Sequence, residues 1–197
     1  MHPTVLIGTT GHAGDFTPSA IHAMADHCER PIILPLSNPT SKAECTPSEA
    51  LEHSDGRALV ATGSPFEPVT VQGRKHIIGQ CNNAFVFPGV GLGVLISEAS
   101  RVTDSMFLAA ARALAEYTAA NAAGEERLYP SLRELRTVSR LIAFQVARTA
   151  RNEGFGQTLD DAALQAAIEE FCWFPEYLEA EHAGHHAAHH PEAPFNA

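Results

Sequence analysis

Short apolar runs alternating with helix-start signals over the first 90 residues restrict the fold more than any other feature of this chain. Residues 4–8 (TVLIG), 32–36 (IILPL) and 58–61 (ALVA) are rich in aliphatic side chains and bounded by Gly, Pro or polar residues. That is the pattern of strands buried on both faces. Between the first two, Thr17 and Pro18 open a helix through residues 19–28, with Ile21 and Met24 at helical spacing. A Thr oxygen satisfies a free amide at the helix start, and Pro suits the first helical position because it has no N–H to leave unpaired. Thr46-Pro47-Ser48-Glu49 is a capping box that opens a second helix, ending near Gly56. Residues 84–87 (AFVF) are expected to form a fourth strand. Such alternation implies a parallel sheet in an α/β domain.

From about residue 90 the expectation is helical. One helix is expected over 94–101 and an Ala-rich one over 104–120, where the stripe from Met106 to Leu114 reads as core. Ser131-Leu132-Arg133-Glu134 is a further capping box, with Leu132, Leu135, Val138, Ile142, Val146 and Thr149 spaced for one buried face. Arg133, Arg136, Arg140 and Arg148 lie near one side of that helix and read as a solvated face or a subunit contact. A last helix follows Thr158, with Leu164, Ile168 and Phe171 facing inward. Beyond Pro175 the composition turns to Ala, His, Glu and Pro. Residues 180–197 are expected to be a disordered His/Ala-rich tail whose His182, His185, His186, His189 and His190 bind metals only incidentally.

Charge narrows the function classes. The formal net charge is -10, and nine of the 23 acids lie beyond residue 151, where there is no Lys or Arg. The first 151 residues are therefore almost neutral. They offer no basic surface to replace phosphate counterions, so nucleic acid is excluded as a partner. No apolar run approaches the length of a membrane span, so no membrane partner is expected. Cys28, Cys45, Cys81 and Cys172 form no CxxC pair and suggest reduced thiols in a cytoplasmic protein. None has a visible base partner, so no nucleophile is assigned.

Three segments carry candidate chemistry. The loop at 8–16 (GTTGHAGDF) follows the first strand, and ligands of open α/β sheets bind outside the carboxyl ends of strands. Its glycines either admit a ligand or make a plain tight turn. It has no P-loop lysine. Asn38, in the run Ser37-Asn38-Pro39-Thr40, carries an amide that holds a ribose hydroxyl or a carboxylate, or else closes an Asx turn. After the third strand come Gly63-Ser64-Pro65-Phe66, then Asn82 and Asn83, then Gly89, Gly91 and Gly93. The last three have GxGxG spacing without the acid of a dinucleotide fingerprint. Close packing of a helix start against the sheet explains them better.

Taken in order, the runs at 30–46 (RPIILPLSNPTSKAECT), 61–69 (ATGSPFEPV), 79–83 (GQCNN), 87–93 (FPGVGLG) and 101–111 (RVTDSMFLAAA), with LYP at 128–130, resemble malic enzymes. The resemblance covers residues 3 to about 152. It implies the second half of a Rossmann-like parallel sheet followed by C-terminal helices. Residues 1–101 would be a partial NAD(P)-binding domain and 102–179 a helical part packing on it. It also implies oxidative decarboxylation of malate to pyruvate and CO2, using NAD or NADP and a divalent metal, Mg or Mn, in the complete enzyme. Gly8, Gly11, Ser37, Asn38, Gly63 and Asn82 would contact the cofactor, and Asn38, Asn82 and Asn83 the substrate.

The family's catalytic Tyr and Lys, its metal ligands and its phosphate turn match no residue here. Neither Lys42 nor Lys75 stands in a context that replaces the base, so no catalytic and no metal residue is assigned in this chain. The expectation is a chain that needs an N-terminal half of malic enzyme or a second copy of itself as partner. The alternative is a catalytically inactive cofactor-binding or interaction fragment from a split or truncated gene.

Overall fold

The computed structural model describes residues 2–122 and 126–173; the expected tail at 180–197 lies outside the described residues. The three apolar runs are strands: β1 (Val5–Gly8), β2 (Ile32–Pro35) and β3 (Leu59–Thr62). They pair in parallel, with Leu6 beside Ile33 and Ile33 beside Val60. Two successive right-handed crossovers in one direction place their helices on one face of the sheet. Accordingly α1 (Pro18–Ala25) and α2 (Pro47–Glu52) bring Ile21, Ala50 and Leu51 onto Ile33 and Val60, with Leu6 at the margin. Thr17 and Thr46 cap these helices through their side-chain oxygens, and Glu49 completes the capping box.

The fourth strand is not where the apolar pattern puts it. An antiparallel hairpin, β4 (Val69–Val71) and β5 (Arg74–His76), follows β3. Its turn is Gln72-Gly73, both at positive φ, which matches the twist of paired strands. The strand that extends the sheet is the two-residue β6 (Gly79–Gln80), giving the order β1-β2-β3-β6, all parallel. Residues 84–87 instead enter a helix. Asn82 caps a short 3-10 turn over Asn83–Phe85, and α3 (Phe87–Ser97) follows with Pro88 in its first turn. Phe85 is fully buried in the helical cluster, not in the sheet.

That early start also changes the reading of the glycines. A Cβ at Gly89 would stand 2.6 Å from Ile142 Cβ, and one at Gly93 would stand 2.6 Å from the Ala143 carbonyl oxygen. Both neighbours belong to α5 (Leu135–Asn152), so these glycines let two helices approach, not a helix and the sheet. Glu98, in the left-handed conformation, ends α3.

Helices α4 (Asp104–Asn121) and α6 (Asp161–Phe171) complete the second layer. Met106, Ala110, Val138, Ile142 and Val146 form its core. Leu164 and Ile168 of α6 are buried as expected, whereas Phe171 and Leu132 are exposed because each lies at a helix end beyond the packed stripe. Phe107 and Leu108 likewise point outward from the α4 stripe. Part of the arginine row on α5 is intramolecular. Arg140 pairs with Glu169 of α6 at 2.6 Å, and Arg136 donates to the Trp173 carbonyl. No helix of the described residues is long and apolar enough to cross a membrane.

Candidate functional site

At the carboxyl ends of β1, β2, β3 and β6, one chain of hydrogen bonds and close contacts joins four loops. It begins at Glu44, a fully buried carboxylate between the Asn38 loop and α2. Glu44 Oε1 accepts from the Thr10 amide at 2.7 Å, from Ser37 Oγ at 2.5 Å and from Thr10 Oγ1 at 3.3 Å. The Glu44 carbonyl accepts from the amides of Gly14 and Phe16. Ser37 Oγ in turn accepts from the Gly11 amide at 2.9 Å. Burial pushes the Glu44 carboxyl up, but the hydrogen bonds from Ser37 and the backbone outweigh it and hold the group below its ordinary value.

The next link is Asn38, whose Oδ1 accepts from Ser64 Oγ. The Asn38–Pro39 peptide is cis. Thr62 Oγ1 holds the Ser64 carbonyl at 2.8 Å, and Gln80 Nε2 donates to the Gly63 carbonyl at 3.0 Å. Asn82 follows Gln80 by two residues, and its Oδ1 accepts from the Ala84 amide at 2.8 Å. Asn83 is exposed beside it.

The structure thus brings all the expected positions to one edge of the sheet, but in different roles. The space a side chain would take at Gly8 is filled by Glu44 and Phe16, and at Gly63 by the Leu36 carbonyl. Gly11, at φ +72, faces open space. Ser37 is buried and Asn38 exposed. Sequence reasoning missed Glu44, and it named Ser64 only within the run Gly63-Ser64-Pro65-Phe66 without giving it a role. A carboxylate between Ala43 and Cys45, both apolar and just ahead of a capped helix, was the available signal for the first. Cys81 does have a partner after all, the Tyr129 hydroxyl at 2.9 Å. That hydroxyl is raised above its ordinary value by burial, so it offers no base.

A cavity of about 440 Å³ lies at the opposite end of the sheet, lined by Arg30, Arg57, Arg74, Asp55 and Glu126 among others. Its cations and acids balance, and it stands apart from the loop edge. Among the described residues, no group of three or more His, Cys, Asp or Glu side chains could hold a metal ion.

The family model described as malic enzyme, NAD binding domain, matches residues 1–151. This chain belongs to the malic enzyme family. It is 52% identical over 176 residues to an NAD-dependent malic enzyme of Edwardsiella ictaluri and 53% identical over 175 residues to one of Shewanella frigidimarina. Each match covers 89% of this chain and 31% of the relative. The crystal structure of Entamoeba histolytica malic enzyme superposes with a TM-score of 0.69 at 29% identity, covering 85% of this chain and 31% of that one. Malic enzyme from Pyrococcus horikoshii gives 0.67 at 30% identity, covering 86% and 35%. The chain therefore spans about a third of the length of the curated relatives it matches.

Proposed function

We propose that this malic enzyme chain supplies the nicotinamide-facing edge for oxidative decarboxylation of malate to pyruvate and CO2, carried out only when the rest of the enzyme is present. The observation that carries this is the exposed Asn38 amide, which Ser64 ties to the loop after β3, with the Asn82 loop at the next strand end beyond it and Gly11 open at the neighbouring end of β1. Neutral donors and acceptors orient a hydroxyl, a carboxylate or a carboxamide without stabilising charge. They fit the nicotinamide and ribose end of NAD or NADP and the polar groups of malate. The divalent metal implied for the complete enzyme, Mg or Mn, finds no fitting donor set among the described residues, and no step is assigned to it here.

In this reading, residues 1–101 are the partial cofactor domain and 102–179 the C-terminal part, whose described helices pack beside it while 174–179 lie outside the described residues. The partner is the N-terminal part of a malic enzyme, with a second copy of the chain as the other occupant. The reduced thiols among the described residues suit the cytoplasm. The outer strand supports a missing neighbour: among the described residues β1 is paired on one side only, and Val5 is 42% and Ile7 61% exposed on the face away from α1 and α2.

The experiment is a fluorescence titration of the 197-residue chain with NADH, repeated after co-expression with the N-terminal two-thirds of the Edwardsiella relative. Expected are weak NADH binding alone, lost in Asn38→Ala, and malate-dependent NAD reduction with manganese only in the co-expressed pair. Malate-dependent reduction by the chain alone, or no NADH binding in either state, sinks the proposal.

A further inference from the structure

We infer that Glu44 is a positioning residue, an internal anion that holds the loop between β1 and α1 and takes up backbone amides that a ligand phosphate would otherwise use. This inference rests on the cofactor reading of that edge and deepens it.

Successive backbone amides at a strand-to-helix turn form a concave nest suited to an anion, commonly a ligand phosphate. Here the anion comes from the chain itself. The Thr10 amide donates to the Glu44 carboxylate, the Gly11 amide to Ser37 Oγ, the His12 amide to Thr10 Oγ1, and the Gly14 amide to the Glu44 carbonyl. Four amides that a phosphate would need are already committed. Gly8 makes the arrangement possible, because any side chain there would overlap Glu44 Cδ and Cγ.

Among the described residues the hydrogen bonds to the carboxylate come from hydroxyls and amides, and these hold it ionised. The adjacent Cys45 is pushed up to about 12 by burial and by Glu49 and Glu44, so it is neutral. The negative charge of Glu44 repels a phosphate brought close to it. A neutral ribose hydroxyl or carboxamide meets no such repulsion, and the cationic nicotinamide ring of the oxidised cofactor is attracted. The same carboxylate, through Ser37, fixes the start of the loop that carries Asn38, so one residue sets two of the four loops at once.

Nuclear magnetic resonance of the full chain tests this together with NADH binding. In the wild type, the Thr10 and Gly11 amide protons should titrate together with a midpoint below 4.5. Glu44→Gln keeps the volume and one acceptor but removes the charge. It should abolish that titration, speed exchange at both amides by about tenfold and weaken NADH binding by about tenfold, as the loss of charge-assisted hydrogen bonds implies. Ser37→Ala, too small a change to unfold the chain, should disturb the Gly11 amide and raise the titration midpoint, and it decides the matter if Glu44→Gln does not fold. Unaltered amide shifts and exchange in both variants overturn the role of Glu44. If the wild type fails to bind NADH, the cofactor reading of the edge falls, while the amide measurements still decide whether Glu44 holds the loop.

Discussion

The contact between α3 and α5 offers a prediction in which helix propensity and packing pull in opposite directions. Gly89, Gly91 and Gly93 sit in one helix, and each would gain about 1 kcal/mol of propensity on replacement by Ala. Their surroundings differ sharply. Nothing lies within 4 Å of a Cβ at Gly91. At Gly93 the new methyl would stand 2.6 Å from the Ala143 carbonyl oxygen and 2.8 Å from Val146 Cβ. At Gly89 it would meet Ile142 Cβ at 2.6 Å and the Ser139 carbonyl oxygen at 2.8 Å. Backbone oxygens and Cβ atoms cannot swing aside, so the helices must separate, and overpacking of this kind costs about 1–3 kcal/mol. Separation also opens the stripe around Ile142 and Val146, both fully buried. Packing therefore outweighs propensity at positions 89 and 93 but not at 91. Gly91→Ala should raise the melting temperature by about 2–4 °C, given the usual conversion for a chain of this size. Gly89→Ala and Gly93→Ala should lower it by at least as much. Thermal unfolding followed by circular dichroism at 222 nm reads all three. If Gly93→Ala is as stable as Gly91→Ala, close helix approach is not what these glycines provide.

Acid should act first on the loop edge and the caps. Glu44, Glu49 and Glu134 all have folded values held below the ordinary carboxylate value, so their contribution is full above about pH 4.5 and is lost as the pH falls through the folded values. A urea midpoint that does not fall below pH 4.5 refutes this. Thr46→Ala removes a cap that accepts from the Glu49 amide and should cost about 1 kcal/mol, seen as a shift of the same midpoint with unchanged slope. Ile7→Asp, at a position already 61% exposed, should change the stability of the chain alone by no more than about 0.5 kcal/mol yet block activity restored by the co-expressed N-terminal part. Restored activity with that variant would argue that the β1 face is not the contact.

What the sequence made legible was local. The three central strands stand out because each is a run of branched side chains cut off by Gly or Pro, and Thr17, Thr46 and Ser131 announce helices within three residues of themselves. The hairpin was hidden because its strands are three residues long and its turn uses Gln72, a residue seldom at positive φ. The start of α3 was hidden because three glycines lower helix propensity, and the compensation comes from α5, some 50 residues further on. The candidate site was half legible. Asn38, Asn82 and Gly11 could be named from their loops and the family resemblance. Glu44 offered only a carboxylate between apolar neighbours, because what makes it consequential is Thr10, 34 residues away, and the space left at Gly8.

On the proposed cofactor reading, the topology explains why this edge would be only one side of a cleft. Ligands of open α/β sheets sit where the strand order reverses, because only there do loops on two adjacent strand ends diverge to opposite faces. From β1 through β2 to β3 the order advances in one direction, and α1 and α2 both cover the face bearing Leu6, Ile33 and Val60. No reversal occurs within these strands. A reversal at β1 requires a strand on its free side, whose connections would cover the other face, where Val5 and Ile7 now stand exposed and Ile32 and Leu34 half-exposed. Parallel sheets are covered on both faces in stable proteins. The same requirement thus follows from burial and from ligand geometry: the loop of Gly8 to Gly14 becomes one wall of a crevice only when a neighbour pairs with β1. That neighbour must also bring the donors for phosphate, since the amides of the loop are spent on Glu44 and Ser37.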